Sequence, residues 1–263
     1  MNPKFERLGR FLDGFSKPAI ALSGGLDSST LLAVCAEKFG SGGCAAFIAE
    51  TPYSMRGEID DARDLCAALG VELVEIKIDS IPREIEYNPP ERCYLCKRSI
   101  FSQLKRLAFS KGFDAVFDGT NADDLSDYRP GMKALRELGI ISPFLECAVG
   151  KNDIRAAAAE RGLKVAKKPA YACLLTRLEH GAKIDVPLLG KIDEFESFLR
   201  AEFAENVRAR VESGNVRIEC SPSDFGKIAA GAARISDVAK KLGFKRCTLD
   251  LGGYKMGSMN VVI

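Results

Sequence analysis

The apolar and polar positions of this 263-residue chain fall into two regimes. As far as Leu178, short apolar runs alternate with amphipathic segments. Residues 19–22, 44–49, 72–78 and 115–118 read as strands, rich enough in branched residues to be buried. Between them, 29–39, 57–69 and 97–111 repeat apolar residues at the helical interval, and Gly40, Gly70 and Gly112 stand where those helices should close. A helix is expected over 151–161, then an irregular stretch over 167–177. This alternation predicts an α/β fold, a doubly wound parallel sheet with helices on both faces. Beyond Leu178 the pattern changes. A helix over 185–203 precedes a hairpin, 207–211 and 216–220, turning through Glu212-Ser213-Gly214-Asn215. A helix over 235–242, closed by Gly243, and a strand over 247–251 complete a smaller α+β domain. The expected domains are 1–178 and 179–263, with no internal repeat.

One stretch organises the first domain. Ser23-Gly24-Gly25-Leu26-Asp27-Ser28-Ser29 joins the first strand to the first long helix. The two glycines let backbone turn tightly and approach a ligand, and the N–H groups of the following helix point outward at its positive end. Ser23, Ser28 and Ser29 add hydroxyl donors, and Asp27 is a candidate ligand for magnesium beside phosphates. A simple helix cap explains one or two of these residues, not the whole set. No Gly-Lys-Ser/Thr follows, which excludes a Walker A loop. Two further segments lie at strand ends and should border the same crevice: Thr51-Pro52-Tyr53-Ser54, and Asp118-Gly119-Thr120-Asn121-Ala122-Asp123-Asp124. For Asp123 and Asp124, helix capping is an equally good account.

Composition narrows the classes. Hydrophobic residues make up 46% and charged residues 28%, as in an ordinary globular protein. A net charge of +2 gives no general pull toward nucleic acid or an anionic membrane. The first ten residues do not resemble a signal peptide and no run is long enough to span a bilayer, so a cytoplasmic address is expected. Nine cysteines should then be reduced thiols, available for metal binding or nucleophilic chemistry. The single histidine, His180, excludes a multi-histidine metal site and reads as a loop residue.

Three cysteines stand apart. Cys93 and Cys96 form a CxxC after Asn88-Pro89-Pro90, near an expected helix N-terminus that favours thiolates. Redox pair, half of a zinc site and coincidence all compete for a lone CxxC. Cys173 lies in Lys168-Pro169-Ala170-Tyr171-Ala172-Cys173-Leu174-Leu175-Thr176-Arg177, a basic loop. Three thiolates can ligate three irons of a [4Fe-4S] cluster or, with an outside ligand, hold zinc. Cys35, Cys44, Cys66, Cys147, Cys220 and Cys247 read as buried small hydrophobes.

SGGLDSS resembles the SGGxDS signature of the PP-loop ATP pyrophosphatases, which cleave ATP between the α and β phosphates. Within that superfamily the chain resembles the LarE family over nearly its whole length. The resemblance is carried by Asn88-Pro89-Pro90-Glu91-Arg92-Cys93, by Gly119 through Asp124 continuing to Asp127-Tyr128-Arg129-Pro130-Gly131, and by Pro169-Ala170 with Cys173, Leu174 and Arg177. Thr248-Leu249-Asp250-Leu251-Gly252-Gly253-Tyr254 and Gly257-Ser258-Met259-Asn260 add to it. It implies ATP and Mg2+ as cofactors and a pyridinium dicarboxylic acid mononucleotide as substrate, adenylated and converted to a thiocarboxylate for the nickel-pincer nucleotide of lactate racemase.

The family has two versions: one sacrifices the sulfur of the cysteine matching Cys173, and the other has three cysteines and a [4Fe-4S] cluster carrying sulfide. With Cys93, Cys96 and Cys173, this chain is similar to the second. The resemblance further implies that Thr51, Gly119, Thr120, Asn121 and Asp123 line the ATP site, and that Lys97 and Arg177 meet anions near the cysteines. Arg208 and Arg210, two apart on one strand face, would bind substrate phosphate, with Glu219 near the sulfur site and Glu196 a weaker match. Taken alone, two strand arginines read as a solvated face. Where the family has a histidine two residues on, this chain has Glu212. A homo-oligomer is expected. Rival readings are a PP-loop tRNA thiolase, disfavoured by the low net charge; a non-catalytic nucleotide binder with structural zinc; and an amidating enzyme like NAD synthetase, which leaves the cysteines unexplained.

Overall fold

The alternation read from the sequence becomes an open parallel sheet in the computed structural model, which describes residues 2–126, 130–167 and 172–255. The motif residues Asp127 to Arg129, Pro169, Ala170 and Gly257 to Asn260 lie outside the described residues. The chain divides into two units, Met1–Ile85 with Pro90–Ala170, and Glu86–Pro89 with Tyr171–Ile263.

In the first unit the elements are α1 (Pro3–Leu12), β1 (Pro18–Ala21), α2 (Leu26–Phe39), β2 (Ala45–Glu50), α3 (Arg56–Leu69), β3 (Glu72–Lys77), α4 (Arg92–Ser110), β4 (Ala115–Phe117), α5 (Gly131–Glu137), α6 (Pro143–Glu146) and α7 (Lys151–Glu160). The strand order is β3-β2-β1-β4, and every pairing is parallel. Neighbouring strand residues feed opposite cores. Ile20, Ala46, Ile48 and Phe117 pack with Leu8 and Leu12 of α1, Leu31 of α2, Ile59 of α3 and Ile154 of α7. Ala19, Ala21, Ala45, Phe47 and Val116 pack with Leu104 and Ala108 of α4 and Leu135 of α5. A strand alternates its side chains between faces, so burial of both kinds requires helices on both sides of the sheet. Fully buried Ile20, Phe47 and Phe117 each contribute about 1.5–3 kcal/mol. The buried part of the sheet is therefore its centre, β1 and β2, together with the edge β4, rather than the half-exposed edge β3.

The short helices α5 and α6 are not expected from the sequence, and three further helices depart from expectation. Helix α1 is absent from the sequence expectation, in which the first ten residues read as mixed and charged; Leu8 and Leu12 are buried, Phe5 and Phe11 pack on the same core, and Asn2 caps the helix by accepting from Lys4 N–H at 3.0 Å. Helix α2 begins three residues early, with Ser29 N–H donating to Gly25 carbonyl at 3.1 Å, which sets Asp27, Ser28 and Ser29 in its first turn. Helix α4 begins at Arg92 rather than 97, so Cys93 and Cys96 lie within its first two turns, three residues apart and on one side.

The second unit contains α8 (Val186–Glu202), β5 (Val207–Glu212), β6 (Asn215–Cys220), α9 (Phe225–Ala230), α10 (Ala232–Lys241) and β7 (Cys247–Leu249), with sheet order β5-β6-β7. Strands β5 and β6 pair antiparallel, while β7 pairs parallel to β6 and stops two residues short of its expected end. Ser213 and Gly214 both have positive φ, 51° and 83°, as a two-residue hairpin turn demands. Residues just before the expected boundary at 178 belong with this unit because their bonds run to it. Arg177 pairs with Glu196 of α8, and Asn88 Nδ2 donates to the carbonyls of Leu175, Leu178 and Glu179 at 3.3, 3.0 and 2.8 Å. Among the described residues no helix is long and apolar enough to cross a membrane.

Candidate active site

In the first unit β1 lies between β2 and β4, so chain connections leave its carboxyl end in opposite directions. Open α/β sheets bind ligands at such a switch point. Both loops that meet there need glycine. Gly24 has φ 69°, and a Cβ on it would lie 2.6 Å from the Glu58 carbonyl oxygen. A Cβ on Gly119 would lie 2.7 Å from Ser28 N. The loop after β4 thus rests directly on the first turn of α2. Ser23 N–H donates to Ser28 Oγ at 3.1 Å, and the two hydroxyls lie 3.0 Å apart.

Asp27 is the electrostatic centre of this arrangement. Its Oδ2 accepts from Lys151 Nζ at 2.5 Å and from Asn121 Nδ2 at 3.2 Å. Its Oδ1, like Ser29 Oγ, is buried and has no partner among the described residues. Burial raises the Asp27 pKa above the ordinary carboxylate value, against the opposing influence of Lys151 and with Asp124 adding to it. A carboxylate with an unfilled buried oxygen gains from a cation, so this donor fits Mg2+ held with ATP. Beside it, Thr120 donates through N–H and Oγ1 to Asp118 Oδ2, and Ser142 Oγ donates to Asp118 Oδ1 at 2.5 Å. Asn121 N–H donates to Asp124 at 3.1 Å, and Asp123 Oδ2 accepts from Lys151 N–H at 2.6 Å. The two aspartates therefore have structural ties at the start of α7 and within the loop. Thr51 is buried in its turn, Oγ1 2.9 Å from Ser54 Oγ.

Lys151 was missing from the sequence reading, which gave it only as the start of a helix. The available signal is a local inconsistency: a cation in the first turn of a helix opposes the macrodipole unless an anion is nearby. Asp27 supplies that anion from a position 124 residues away in sequence.

Of the nine cysteines, Cys93 and Cys173 are exposed and Cys96 is half-buried. Tyr53 Oη lies 3.1 Å from Cys96 Sγ. Lys97 packs beside Gly131, where a Cβ would stand 2.7 Å from its Cδ. Cys35, Cys44, Cys66, Cys147 and Cys220 are buried as expected, whereas Cys247 is half-buried at the start of β7. Burial pushes the Cys44, Cys66 and Cys247 thiols up to about 11, which disqualifies them as thiolates near neutrality. Among the described residues no three His, Cys, Asp or Glu side chains are gathered to hold a metal ion.

In the second unit Arg208 and Arg210 are buried, contrary to the solvated-face reading, and so is Arg177. Arg177, Arg208 and Arg210 are 1%, 1% and 8% exposed. Arg177 grips Glu196 bidentately, Nε to Oε1 at 2.8 Å and Nη2 to Oε2 at 2.9 Å, and its Nη1 donates to the carbonyls of Ala172 and Cys173 at 2.6 and 3.1 Å. Its guanidinium therefore holds the backbone that carries Cys173. Burial by itself would raise Glu196, but Arg177, the Ala209 N–H at 2.8 Å and Arg208 together hold it below the usual carboxylate range. Burial lowers Arg208, with Arg177 adding repulsion; Arg208 also lies over the Tyr254 ring at 4.9 Å. Arg210 Nε donates to Glu219 at 3.1 Å and its Nη1 to the Thr176 carbonyl. Glu219 also meets Arg217 at 3.4 Å. Glu212, in place of the family histidine, is at the exposed end of β5. His180 contacts the Asn88 carbonyl at 3.3 Å in its loop.

A parallel sheet whose switch point carries SGGLDSS, with a carboxylate and lysine converging on it, defines a PP-loop nucleotide-binding unit. The family model for NAD synthase matches residues 12–95, which contain that loop. An uncharacterised Synechocystis protein is 33% identical over 100% of this chain and 99% of its own. The pyridinium-3,5-bisthiocarboxylic acid mononucleotide synthase of Lactiplantibacillus plantarum is 31% identical over 95% of this chain and 91% of its own. An uncharacterised Methanocaldococcus jannaschii protein is 37% identical over 91% of each. The chain belongs to the LarE family of PP-loop, ATP-dependent sulfur transferases.

Proposed function

We infer that this enzyme adenylates a carboxylate of pyridinium-3,5-biscarboxylic acid mononucleotide and replaces one of its oxygens by sulfur, for nickel-pincer nucleotide synthesis. The observation that carries the substrate is the match along nearly the whole chain to a synthase of the bisthiocarboxylic acid mononucleotide. A free carboxylate resists acyl substitution because its leaving group would be oxide. Its attack on the α-phosphate of ATP forms an acyl-adenylate and releases pyrophosphate. A sulfur nucleophile then adds to the acyl carbon, AMP departs, and a thiocarboxylate remains.

The chain's own groups suit these steps. Backbone N–H groups at the start of α2, with the Ser23 and Ser28 hydroxyls, are donors for the departing pyrophosphate. Lys151 adds positive charge beside them, and Asp27 would hold Mg2+ through the oxygen that has no partner among the described residues. Magnesium, when bound, offsets charge developing on the leaving group. Arg208 and Arg210 are suited to the substrate's phosphate and carboxylates, and Arg177 to fixing Cys173.

For the sulfur source we infer a [4Fe-4S] cluster ligated by Cys93, Cys96 and Cys173. The support is chemical: these thiols escape deep burial, and two of them stand near a helix N-terminus. When bound, such a cluster supplies an iron without a protein ligand, open to an external sulfide. The reading includes a cytoplasmic homo-oligomer acting on a small mononucleotide rather than on nucleic acid.

The test is anaerobic absorption with iron and acid-labile sulfide measured on wild type and Cys96→Ala. A brown wild type that loses its iron on substitution is expected. An iron-free wild type whose Cys173 loses hydrogen sulfide on turnover would establish the sacrificial route instead. Salt-sensitive, tight tRNA binding would move the substrate assignment to a tRNA thiolase.

A further inference from the structure

We propose that Tyr53 is a positioning residue for the sulfur chemistry, donating its phenol hydrogen to the sulfur of Cys96. This inference rests on the assignment of Cys96 as a cluster ligand. The turn 51–54 follows β2 at the carboxyl edge of the sheet, where the sequence suggested a nucleotide contact. Its polar groups are largely turned inward. Thr51 N–H donates to Ser54 Oγ at 3.1 Å, Ser54 N–H to the Thr51 carbonyl at 3.0 Å, and Tyr53 N–H to Thr51 Oγ1 at 3.3 Å. The turn is thereby rigid and presents one side chain. Tyr53 is 4% exposed, and its Oη stands 3.1 Å from Cys96 Sγ.

A buried phenol takes a hydrogen-bond partner, and a sulfur at this distance is a close one. A thiol is a weak donor and a thiolate an acceptor only, so the phenol is the donor whenever the sulfur is ionised or bound to metal. The bond fixes the side-chain direction of Cys96 and withdraws charge from its sulfur. Groups that hydrogen-bond to a metal ligand orient it and tune the metal in this way. Tyr53 comes from the turn after β2 and Cys96 from α4, and β2 and α4 pack in the same core through Phe47 and Leu104. The contact is thus built into the first unit itself.

The test uses full-length wild type and Tyr53→Phe, which keeps the ring and removes the donor. Cluster-free protein is alkylated anaerobically with iodoacetamide and each cysteine followed by mass spectrometry. Cys96 is expected to react about three- to tenfold more slowly in the variant, with Cys93 unchanged. A Cys96 rate within about twofold of wild type overturns the proposal. After anaerobic reconstitution, the midpoint potential of the variant's cluster is expected to move to a more negative value, a shift that mere loss of packing would not produce. An unchanged potential overturns the proposal too. Should wild type take up no iron, the cluster assignment fails, and the alkylation ratio alone judges Tyr53. Should only the variant fail to hold iron, the same ratio decides.

Discussion

Replacing Glu196 by alanine removes four hydrogen bonds at once: two from Arg177 at 2.8 and 2.9 Å, one from Arg200 at 3.0 Å, and one from Ala209 N–H at 2.8 Å. The Arg177 side chain is 0% exposed, so its guanidinium would be left charged without its carboxylate and without water. Breaking a buried pair from one side costs about 3–5 kcal/mol, and the stranded Ala209 N–H falls within the same loss. Against a typical stability of about 5–15 kcal/mol this is a large fraction. With a urea dependence of about 2 kcal/mol per molar, the transition of the second unit should fall by about 2 M. The chain has no tryptophan, so far-ultraviolet circular dichroism is the practical probe. Removing both members, as Arg177→Met with Glu196→Leu, should restore much of the loss, since a buried pair gains little over an apolar one. That stable double variant should still transfer sulfur poorly, because the guanidinium that ties the Ala172 and Cys173 carbonyls together is then gone. The pH dependence follows from the depressed pKa of Glu196: the pair's contribution is complete above the unfolded value of about 4.3 and is lost as pH falls through the lower folded one. Glu196→Ala should flatten that acid limb. A loss below about 1 kcal/mol, with the acid limb unchanged, would refute the reasoning.

Two other outcomes bear on the nucleotide site. Asp27 has a raised pKa, so its ionised form costs stability at neutral pH, a cost relieved as pH falls through its folded value. Asp27→Asn should therefore leave the thermal midpoint of the ligand-free protein unchanged or higher while pyrophosphate release falls about 100-fold; a fall in midpoint of more than about 5 °C would refute this. Gly119→Ala forces a Cβ to within 2.7 Å of Ser28 N, so the loop and the first turn of α2 must separate. The KM for ATP should rise about tenfold with circular dichroism unchanged, and an unaltered KM would show that the close approach has no bearing on nucleotide binding.

The first unit was legible because its determinants are local. Strand and helix periods, and a loop whose glycines answer to backbone contacts of 2.6 and 2.7 Å, can be read from neighbouring residues. What escaped reading there depends on distant partners. Lys151 gains its meaning beside Asp27 and Tyr53 its contact beside Cys96; a cation in a helix's first turn is a weak hint of the former, and nothing local hints at the latter. Helix α1 escaped for a different reason: Phe5, Leu8, Phe11 and Leu12 do form an apolar stripe at helical spacing, but the charges between them dominate the look of the segment.

The second unit inverts this balance. Its hairpin, α8 and α10 were legible in turn residues and periodicity, but α9 and the burial of Arg208 and Arg210 were not. Arg208 and Arg210 alternate along β5 as solvated residues would. What makes them internal is α8 laying Glu196 against the strand, the Thr176 carbonyl meeting Arg210, and Glu219 pairing across from β6. Charges are expensive to bury, and the unit spends part of its stability on keeping them there. The hairpin would fold as well with apolar residues at these positions. On the function proposed above, an anionic substrate would give a reason for retaining cations in a low-dielectric setting, each held oriented before the ligand arrives. On that proposal activation rests chiefly on backbone geometry and acceptor recognition on pre-oriented side chains, which is why a glycine motif would report the first and only the assembled unit the second.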